Sequence, residues 1–422
     1  MAWVASNENF IKDNVGWIDH LKLRASIGQT GSVEGLGAYS YLEKFYTTGQ
    51  THAYGIGLQP TAAFYTGGYG DRNLTWSRMT DYNIGLDAML LGKKLTVGAD
   101  FFYQYRDGII EGLDAAYAPS IGGNHPSSAN SMRVDNRGIE LTVRHDNWFS
   151  GGLTYSVQGM VSWARNKVLS SANQIGDHPS YRMVLGRPMD ELYGFQCIRL
   201  LRDQEDIDNA PDPPAGLYYP GEPLYRDVNG DGKISSDYDY VRIGYSTTPE
   251  LNFSLNLSVG FRRWSLSALF QGAAMSSLPL TGNYRNTVID NTIYTRTFYG
   301  LAFTNGNLAL AKDSWYIDED GNVNPNAKYP RLHQGWNGTT MWHSDIWVVD
   351  GSYVRLKNLQ LTYSLPEKIA RAVGMSAASI YVAGTNLFTL SHYKWIDPEN
   401  PGLNNGFVPQ QKTYSVGLNV TF

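Results

Sequence analysis

The sequence has little cysteine, little charge and no long apolar run, and each shortage excludes a class of protein. Its 422 residues include one cysteine, Cys197, which excludes an internal disulfide. No stretch approaches the roughly 18 consecutive apolar residues of a membrane-spanning helix, so helical spans are excluded. The net charge is −5 and no basic run occurs, so nucleic acid is not an expected partner. No linker rich in Pro, Gly and Ser divides the chain.

The residue patterns typical of enzymes are also missing. The eight histidines are scattered without metal-type pairing, and the sequence contains neither a Gly-x-Ser-x-Gly motif nor a nucleotide-binding loop. Carboxylate pairs occur in loop-like segments, but nothing places two of them across a cleft. We therefore predict that the protein is not an enzyme.

What the chain has instead is a recurring alternation of apolar and polar residues. Between Tyr414 and Phe422 every second residue is apolar, and those between are small or polar. Because successive side chains of a strand point to opposite faces, such a segment has one apolar and one polar face. The alternation recurs at Leu95–Arg106, Leu153–Trp163 and Leu251–Phe261. These runs suit a tilted strand of about 9–11 residues that crosses a bilayer, and exceed the mode of about 5–6 residues in globular proteins.

The composition fits the same architecture. Charged residues make up 17% of the chain and aromatic residues 13%, with 29 Tyr and 44 Gly. Low charge with abundant Tyr and Gly is typical of a wall that has lipid on one side and uncharged polar groups on the other. We predict an all-β fold, a transmembrane antiparallel β-barrel that is present in part, as about 12–13 strands. The predicted strands are Ala2–Glu8, Leu21–Gln29, Tyr82–Leu90, Leu95–Ile110, Gly138–Asn147, Leu153–Arg165, Tyr181–Gly186, Leu192–Arg202, Leu251–Phe261, Trp264–Ser276, Tyr353–Leu365, Ala377–Ser391 and Lys412–Phe422.

The order of these strands predicts one domain, 1–422, with its long loops on one side. Short connections in such barrels are periplasmic turns and long ones are external loops. With the last strand descending to the periplasm, every long segment falls outside. Met1–His20 lacks the basic and apolar regions of an export signal, so we expect a fragment of a larger barrel. The predicted external loops lie near residues 31–79, 111–137, 203–249, 277–349 and 392–411.

One external loop has the pattern of a calcium-binding loop. Oxygen-bearing side chains occupy the first, third and fifth positions from Asp227, and Gly232 stands at the sixth, where the chain must turn sharply. The twelfth position should be acidic but is Tyr238, so the following aspartate would have to serve. The alternative is an Asx-rich turn that holds itself by side-chain-to-backbone bonds. The candidate ligands of a structural Ca²⁺ are Asp227, Asn229, Asp231, Lys233 through its carbonyl, and Asp239.

Polar residues of the predicted strands would line the interior of the barrel. The sequence does not say which of them touch a substrate, and most would contact a plug or water. They are Asp87, Asp100, Gln104, Arg106, Glu140, Arg144, Gln158 and Asn256.

Several segments resemble, in the same order, motifs of the SusC/RagA family of TonB-dependent outer-membrane transporters of Bacteroidetes. The likeness runs from about Leu21 to Phe422 and is specific only when the segments are taken together. They are Leu21–Gly31, Asp227–Ile234, Asn324–Leu332, Ser352–Leu359 and Tyr381–Phe388 followed by Asp397–Glu399.

The resemblance implies a barrel of about 22 strands in the outer membrane, filled by an N-terminal plug. It implies import of an oligosaccharide or peptide, driven through TonB, beneath a SusD-like surface lipoprotein. The plug and the TonB-contacting segment have no counterpart in this sequence, so we expect the chain to supply wall and external vestibule. Two alternatives stay open: a passive porin or structural barrel, and a soluble all-β carbohydrate-binding or hydrolytic module.

Overall fold

The fold is seen in a computed structural model. It describes residues 1–54, 59–66, 69–113, 119–121, 125–126, 128–172, 181, 183–214, 216–279, 315, 324, 326–330, 343–392, 397–399 and 410–422.

Strands dominate the described residues. Three short α-helices accompany them among the described residues: α1 (Asn9–Lys12), α2 (Gln204–Asp208) and α3 (Glu367–Ala372). None of the described helices is long and apolar enough to span a membrane. The strands are β1 (Ala2–Val4), β2 (Ile18–Ser32), β3 (Phe45–Tyr54), β4 (Gln59–Thr66), β5 (Ser77–Leu90), β6 (Leu95–Gly112), β7 (Ser128–Trp148), β8 (Leu153–Ser170), β9 (Leu192–Gly194), β10 (Cys197–Leu200), β11 (Pro223–Tyr225), β12 (Val241–Gly244), β13 (Leu251–Phe261), β14 (Trp264–Ala274), β15 (Ser277–Pro279), β16 (Val348–Asp350), β17 (Tyr353–Ser364), β18 (Ala377–Ser391) and β19 (Thr413–Thr421).

Eleven of these strands form one antiparallel sheet in the order β1-β2-β5-β6-β7-β8-β13-β14-β17-β18-β19. In this sheet β1 and β19 stand at opposite edges and do not pair with each other. The sheet is therefore an open wall, as predicted for part of a barrel.

Tight and long connections alternate along this sheet. Leu91–Lys94 joins β5 to β6, and Arg262–Arg263 joins β13 to β14. Arg262 has φ of +55°, the left-handed conformation that the shortest hairpin turns require. Because neighbours are antiparallel, the long connections all leave the opposite edge. That this edge faces the cell exterior stays a prediction.

The apolar face of the sheet is uncovered. The register places Ile84 beside Phe101 and Val382 beside Val416, all on the same face. Val416 is 77% exposed and Ile84 65% exposed. No second layer of the described chain packs over these side chains, although a water-soluble protein rarely exposes so extended an apolar surface. This face is the one that the alternation assigns to lipid.

Two of the segments predicted to be wall strands do not belong to the wall. Leu192–Arg202 divides into β9 and β10, which pair with β12 and β11 in two small sheets outside the wall. The described residues of 181–186 form no strand, and Gly186 has φ of +81°. The wall thus has 11 described strands. The prediction for Leu192–Arg202 was wrong because short strands that cover a small protein core show the same apolar alternation as strands of the wall.

That small core belongs to a unit on the β8–β13 connection, here called the outer module (residues 187–250). Phe195, Tyr225 and Ile234 form one buried cluster, with the ring centroids of the first two 4.9 Å apart. Leu201 packs with two further residues in a second cluster. Cys197 lies against the first cluster, and burial raises the pKa of its thiol to about 12. The predicted loop 203–249 is therefore largely a folded unit.

Other loop bounds shift by a few residues. β2 extends to Ser32 and β5 begins at Ser77, with the β3–β4 hairpin between them. β7 begins at Ser128, inside the predicted loop 111–137. The wall strands β6, β7 and β8 consequently extend beyond the predicted segments toward the edge that carries the long loops.

Candidate functional site

The candidate site is the polar face of the wall, where the strand register aligns charged side chains from separate strands. In one row Arg24 on β2 lies opposite Gly85 on β5, which lies opposite Asp100 on β6 and then Glu140 on β7. All of the predicted inward residues share this face. They are Asp87, Asp100, Gln104, Arg106, Glu140, Arg144, Gln158 and Asn256.

Arg24 joins three strands on this face. Its Nη1 and Nη2 atoms each lie 2.5 Å from a carboxylate oxygen of Asp100, and its Nε lies 3.2 Å from Asp87. The guanidinium passes over Gly85, where an added Cβ would lie 2.5 Å from the guanidinium carbon. Two-pronged Arg–carboxylate contacts are stronger and more directional than single hydrogen bonds. Gly85 therefore makes a specific cross-strand tie possible.

A second charged group holds part of a predicted external loop against the polar face. Arg355 on β17 is 3% exposed, with Nη2 2.6 Å from Asp397 and Nη1 2.9 Å from Glu399. Its Nε donates to Thr389 on β18 at 2.8 Å. Lys357 Nζ lies 2.9 Å from Glu399, so two cations meet two carboxylates. Matching charges in this way offsets the desolvation that burial imposes on each ion.

The calcium-type loop is organised by hydrogen bonds from its own backbone. Asp227 accepts from the amides of Gly230 and Gly232 at 2.6 and 2.8 Å. Asp239 is fully buried, and its two oxygens accept from Val228 and Ser235, both at 2.7 Å. Asp239 thereby ties together the two ends of the loop.

The remaining predicted ligands lie on the exposed part of this loop. Asp231 accepts from the Asn229 amide at 2.9 Å and from the Lys233 backbone amide at 2.8 Å, and these bonds lower the pKa of its carboxyl. No three Asp, Glu, His or Cys side chains of the described chain form a group able to hold a metal. The observed bonds are those of the Asx-turn alternative. A carboxylate oxygen has lone pairs for more than one partner, so calcium binding stays a prediction.

The outer module contains a charged group that the sequence reasoning missed. The Asp206 carboxylate lies 2.5 Å from Arg199 Nη1 and 2.9 Å from Arg202 Nε, and these bonds hold its pKa well below the usual range. Its own amide donates to Asp203, the residue that caps α2. An aspartate immediately before the first helical residue is a recognised helix-start signal and could have identified this segment.

The sequence reasoning also missed a cavity of about 350 Å³ between the polar face and the outer module. It lies among β5–β8 and the segments 188–190 and 246–250. Two acidic residues at this cavity are buried: Glu250 is 8% exposed, and Asp135, whose carboxylate lies on the opposite face of β7 beside Tyr103, is 5% exposed. Burial raises the pKa of Glu250, which lies 3.5 Å from Arg165 through Oε1. The two acids are far apart in the sequence, so no local motif marks them.

Known proteins resemble this chain over its whole length. It is 26% identical over 451 residues to TonB-dependent receptor P26 of Formosa agariphila, covering 100% of this chain and 42% of that protein. It is 21% identical over 436 residues to TonB-dependent receptor SusC of Bacteroides thetaiotaomicron, covering 100% and 39%. The chain thus spans roughly two fifths of the curated relatives that it matches. No protein-family model matches it.

Solved structures agree with the fold. The RagAB peptide importer in the open-open state superposes with a TM-score of 0.69 at 21% identity, covering 100% of this chain and 42% of that one. The RagAB peptide transporter gives a TM-score of 0.66 at 20% identity, covering 100% and 43%. The open antiparallel wall is therefore part of a transmembrane barrel of this type. By its relatives and its fold, the chain resembles the SusC/RagA family of TonB-dependent receptors and has the fold of a portion of their barrel.

Proposed function

We propose that the receptor to which this chain belongs imports a nutrient across the outer membrane, energised through TonB. The chain supplies barrel wall and external vestibule. The observation that carries the proposal is the division of the wall into an uncovered apolar face and a polar face crossed by ion pairs. An apolar exterior suits lipid, and a charged interior suits a hydrated passage that is closed by other parts of the receptor.

The nutrient in this proposal is an oligosaccharide or a peptide. One relative is SusC, and the similar solved structures are those of a peptide importer. A SusD-like surface lipoprotein would cover the edge that carries the long loops. TonB would contact a part of the receptor that corresponds to the length of the relatives beyond this chain. All of the named relatives are receptors or transporters, in keeping with a role that is not enzymatic.

Uptake measurements test the proposal. Cells that carry the full-length receptor are given fluorescent oligosaccharide and peptide pools, with and without a protonophore, beside cells that lack the receptor gene. We expect receptor-dependent uptake from one pool that stops when the protonophore is added. Uptake that continues with the protonophore would support a passive porin. Recovery of the receptor in the detergent-free soluble fraction would contradict membrane insertion.

A further inference from the structure

We propose that basic side chains at the long-loop end of β5–β8 bind the phosphate groups of an anionic glycolipid in the outer leaflet of the membrane. The inference rests on the proposed function, because it requires the apolar face of the wall to contact a bilayer and the long-loop edge to face the exterior. It adds a lipid partner and a location to that function. The residues concerned, here called the basic cluster, are Arg78, Arg133, Arg137 and Lys167.

The strand register divides the apolar face into an apolar band and a charged end. One row across β5–β8 consists only of Ile84, Phe101, Ile139 and Trp163. Two residues closer to the long-loop edge, the row on the same face consists of Tyr82, Tyr103, Arg137 and Arg165. The next row consists of Thr80, Tyr105, Asp135 and Lys167. Apolar side chains therefore give way to tyrosines and charges within one period of the strand.

The other two members of the basic cluster lie beyond these rows on the same face. Arg78 is opposite Asp107 in the register, and Arg133 Nε lies 2.8 Å from Asp107 Oδ1. Arg133 and Arg137 stand on either side of Asp135 at every second position of β7. Because alternate residues of a strand share a face, all four basic side chains project from the side that bears the apolar band.

The apolar band below the basic cluster is as tall as the hydrocarbon layer of an outer membrane. On β8 the side chains of this face from Leu153 to Trp163 carry no charge. At about 3.4 Å per residue and a tilt of about 40°, this run covers about 26 Å of depth, and barrels have an apolar band about 25 Å tall. On the same scale Arg137 lies about 5 Å and Lys167 about 10 Å above the last apolar row. These depths are those of the headgroup layer.

The charges of this region are unbalanced in favour of a bound anion. The basic cluster contains four cations, and the carboxylates on the same face are Asp107, which pairs with Arg133, and the buried Asp135. Among the described residues, no carboxylate lies within ion-pair distance of Arg78, Arg137 or Lys167. Arg165 lies 3.5 Å from Glu250 and is left out of the cluster for that reason.

A phosphorylated lipid matches both parts of this surface. Its acyl chains would lie on the apolar row, where Phe101 is 51% and Ile139 48% exposed. Its phosphates would then stand at the level of Arg137, whose guanidinium can donate two parallel hydrogen bonds to a phosphate. Tyrosine rings are enriched at this level of membrane proteins because they have an apolar body and a polar tip. The outer leaflet of an outer membrane consists of phosphorylated, multiply acylated saccharides.

The basic cluster is local to β5–β8. At the same edge, the apolar face of β17 and β18 has Val354 opposite Leu390, and Leu390 is 64% exposed. The cations of β17, Arg355 and Lys357, instead pair with carboxylates of the segment 397–399. A lipid that surrounds the barrel uniformly would not require this difference, so we infer a site for a particular headgroup.

Native mass spectrometry of the purified full-length receptor in a neutral detergent tests the site. The probes are diphosphorylated lipid A, the same lipid with both phosphates removed, and phosphatidylglycerol, with EDTA present so that divalent cations form no bridges. Each Lys or Arg near an anionic headgroup contributes roughly five-fold in affinity. The wild-type receptor should therefore bind the phosphorylated lipid A at least about 30-fold more tightly than the dephosphorylated form.

Two double variants with the same change in charge locate the binding. Arg137→Gln with Lys167→Gln leaves the Arg133–Asp107 pair in place and should lower the preference for phosphate by at least about ten-fold. Lys93→Gln with Lys94→Gln changes the turn between β5 and β6, at the opposite end of the apolar band, and should keep the preference within about two-fold. Arg78→Gln with Arg133→Gln replaces the first variant if that one fails to assemble, as judged by heat-modifiable electrophoretic mobility.

Loss of the preference in the cluster variant, with retention in the turn variant, supports the site. Equal binding of the two forms of lipid A, or equal loss of preference in the two double variants, would overturn it. Phosphatidylglycerol that binds as tightly as phosphorylated lipid A would overturn the assignment to a glycolipid. Binding in detergent needs neither TonB nor an energy source, so these outcomes are distinct from a failure of the proposed uptake.

Discussion

Removing Arg355 should release the Asp397–Glu399 segment from the wall. The guanidinium is 3% exposed and is the described ion-pair partner of Asp397, which is 8% exposed. Removing one member of a buried ion pair costs about 3–5 kcal/mol, because the remaining charge is left without a counterion. Glu399 keeps its ion pair with Lys357 in the Arg355→Met variant, so we expect a cost at the lower end of this range, about 3 kcal/mol. At 1.4 kcal/mol for each factor of ten, about 3 kcal/mol corresponds to local opening on the order of 100-fold more frequent.

Hydrogen exchange measures this opening at the bond concerned. The Glu399 amide donates to Asp397 Oδ1 at 3.0 Å, so its protection reports whether the segment is docked. Arg355→Met should make this amide exchange on the order of 100-fold faster while the wall strands keep their protection. Lys357→Met is the matched control, since Lys357 is 32% exposed and leaves both Arg355 contacts in place. Its effect should be less than about ten-fold, as for a partly solvated pair. Equal acceleration in the two variants would refute the reasoning.

Three further predictions concern other parts of the chain. Replacing Asp227 and Asp231 by Ala should abolish calcium-dependent protection of their loop from protease, and unchanged protection would count against a calcium site. Gly85→Val should displace the Arg24 guanidinium and destabilise the assembled barrel by about 1–3 kcal/mol, read from its unfolding midpoint; an unaltered midpoint would contradict the tie. The hydrogen bonds from its two arginine partners lower the pKa of Asp206, so its stabilising effect is complete above the unfolded value of about 3.9 and is lost as pH falls through the folded value. Asp206→Asn should therefore flatten the acid-unfolding curve of the outer module below about pH 4, and a curve identical to wild type would refute this assignment.

The wall was predictable because strand geometry is periodic. Alternation from Leu251 to Phe261 determines which side chains share a face, and the structure pairs this segment with both neighbours over its full length. The tight turn at Arg262–Arg263 follows from the same pattern. The prediction of a wall strand at Leu192–Arg202 was wrong because a strand that covers the buried Phe195 and a strand that faces lipid have the same alternation. Only the partner of the apolar face distinguishes them.

The charged groups of the site depend on distant partners. Arg24 on β2 meets Asp100 on β6 across the strand between them, β5. Glu250 reaches its cavity only once β8 and β14 are both paired with β13. The calcium-type loop was recognisable from spacing alone. The function of Asp239 as the tie between the loop ends was not, because it depends on which backbone amides its carboxylate reaches.

The outer module has a consequence for how this protein can diversify. It occupies residues 187–250 of the connection between β8 and β13 and contains its own buried cluster around Phe195 and Tyr225. The entropy of closing a connection grows slowly, by about 0.6 kcal/mol for each doubling of its length. Residues can therefore be inserted or exchanged in this module while β8 and β13 keep their pairing. Sequence change in this module can therefore leave the uncovered apolar face of the wall as it is.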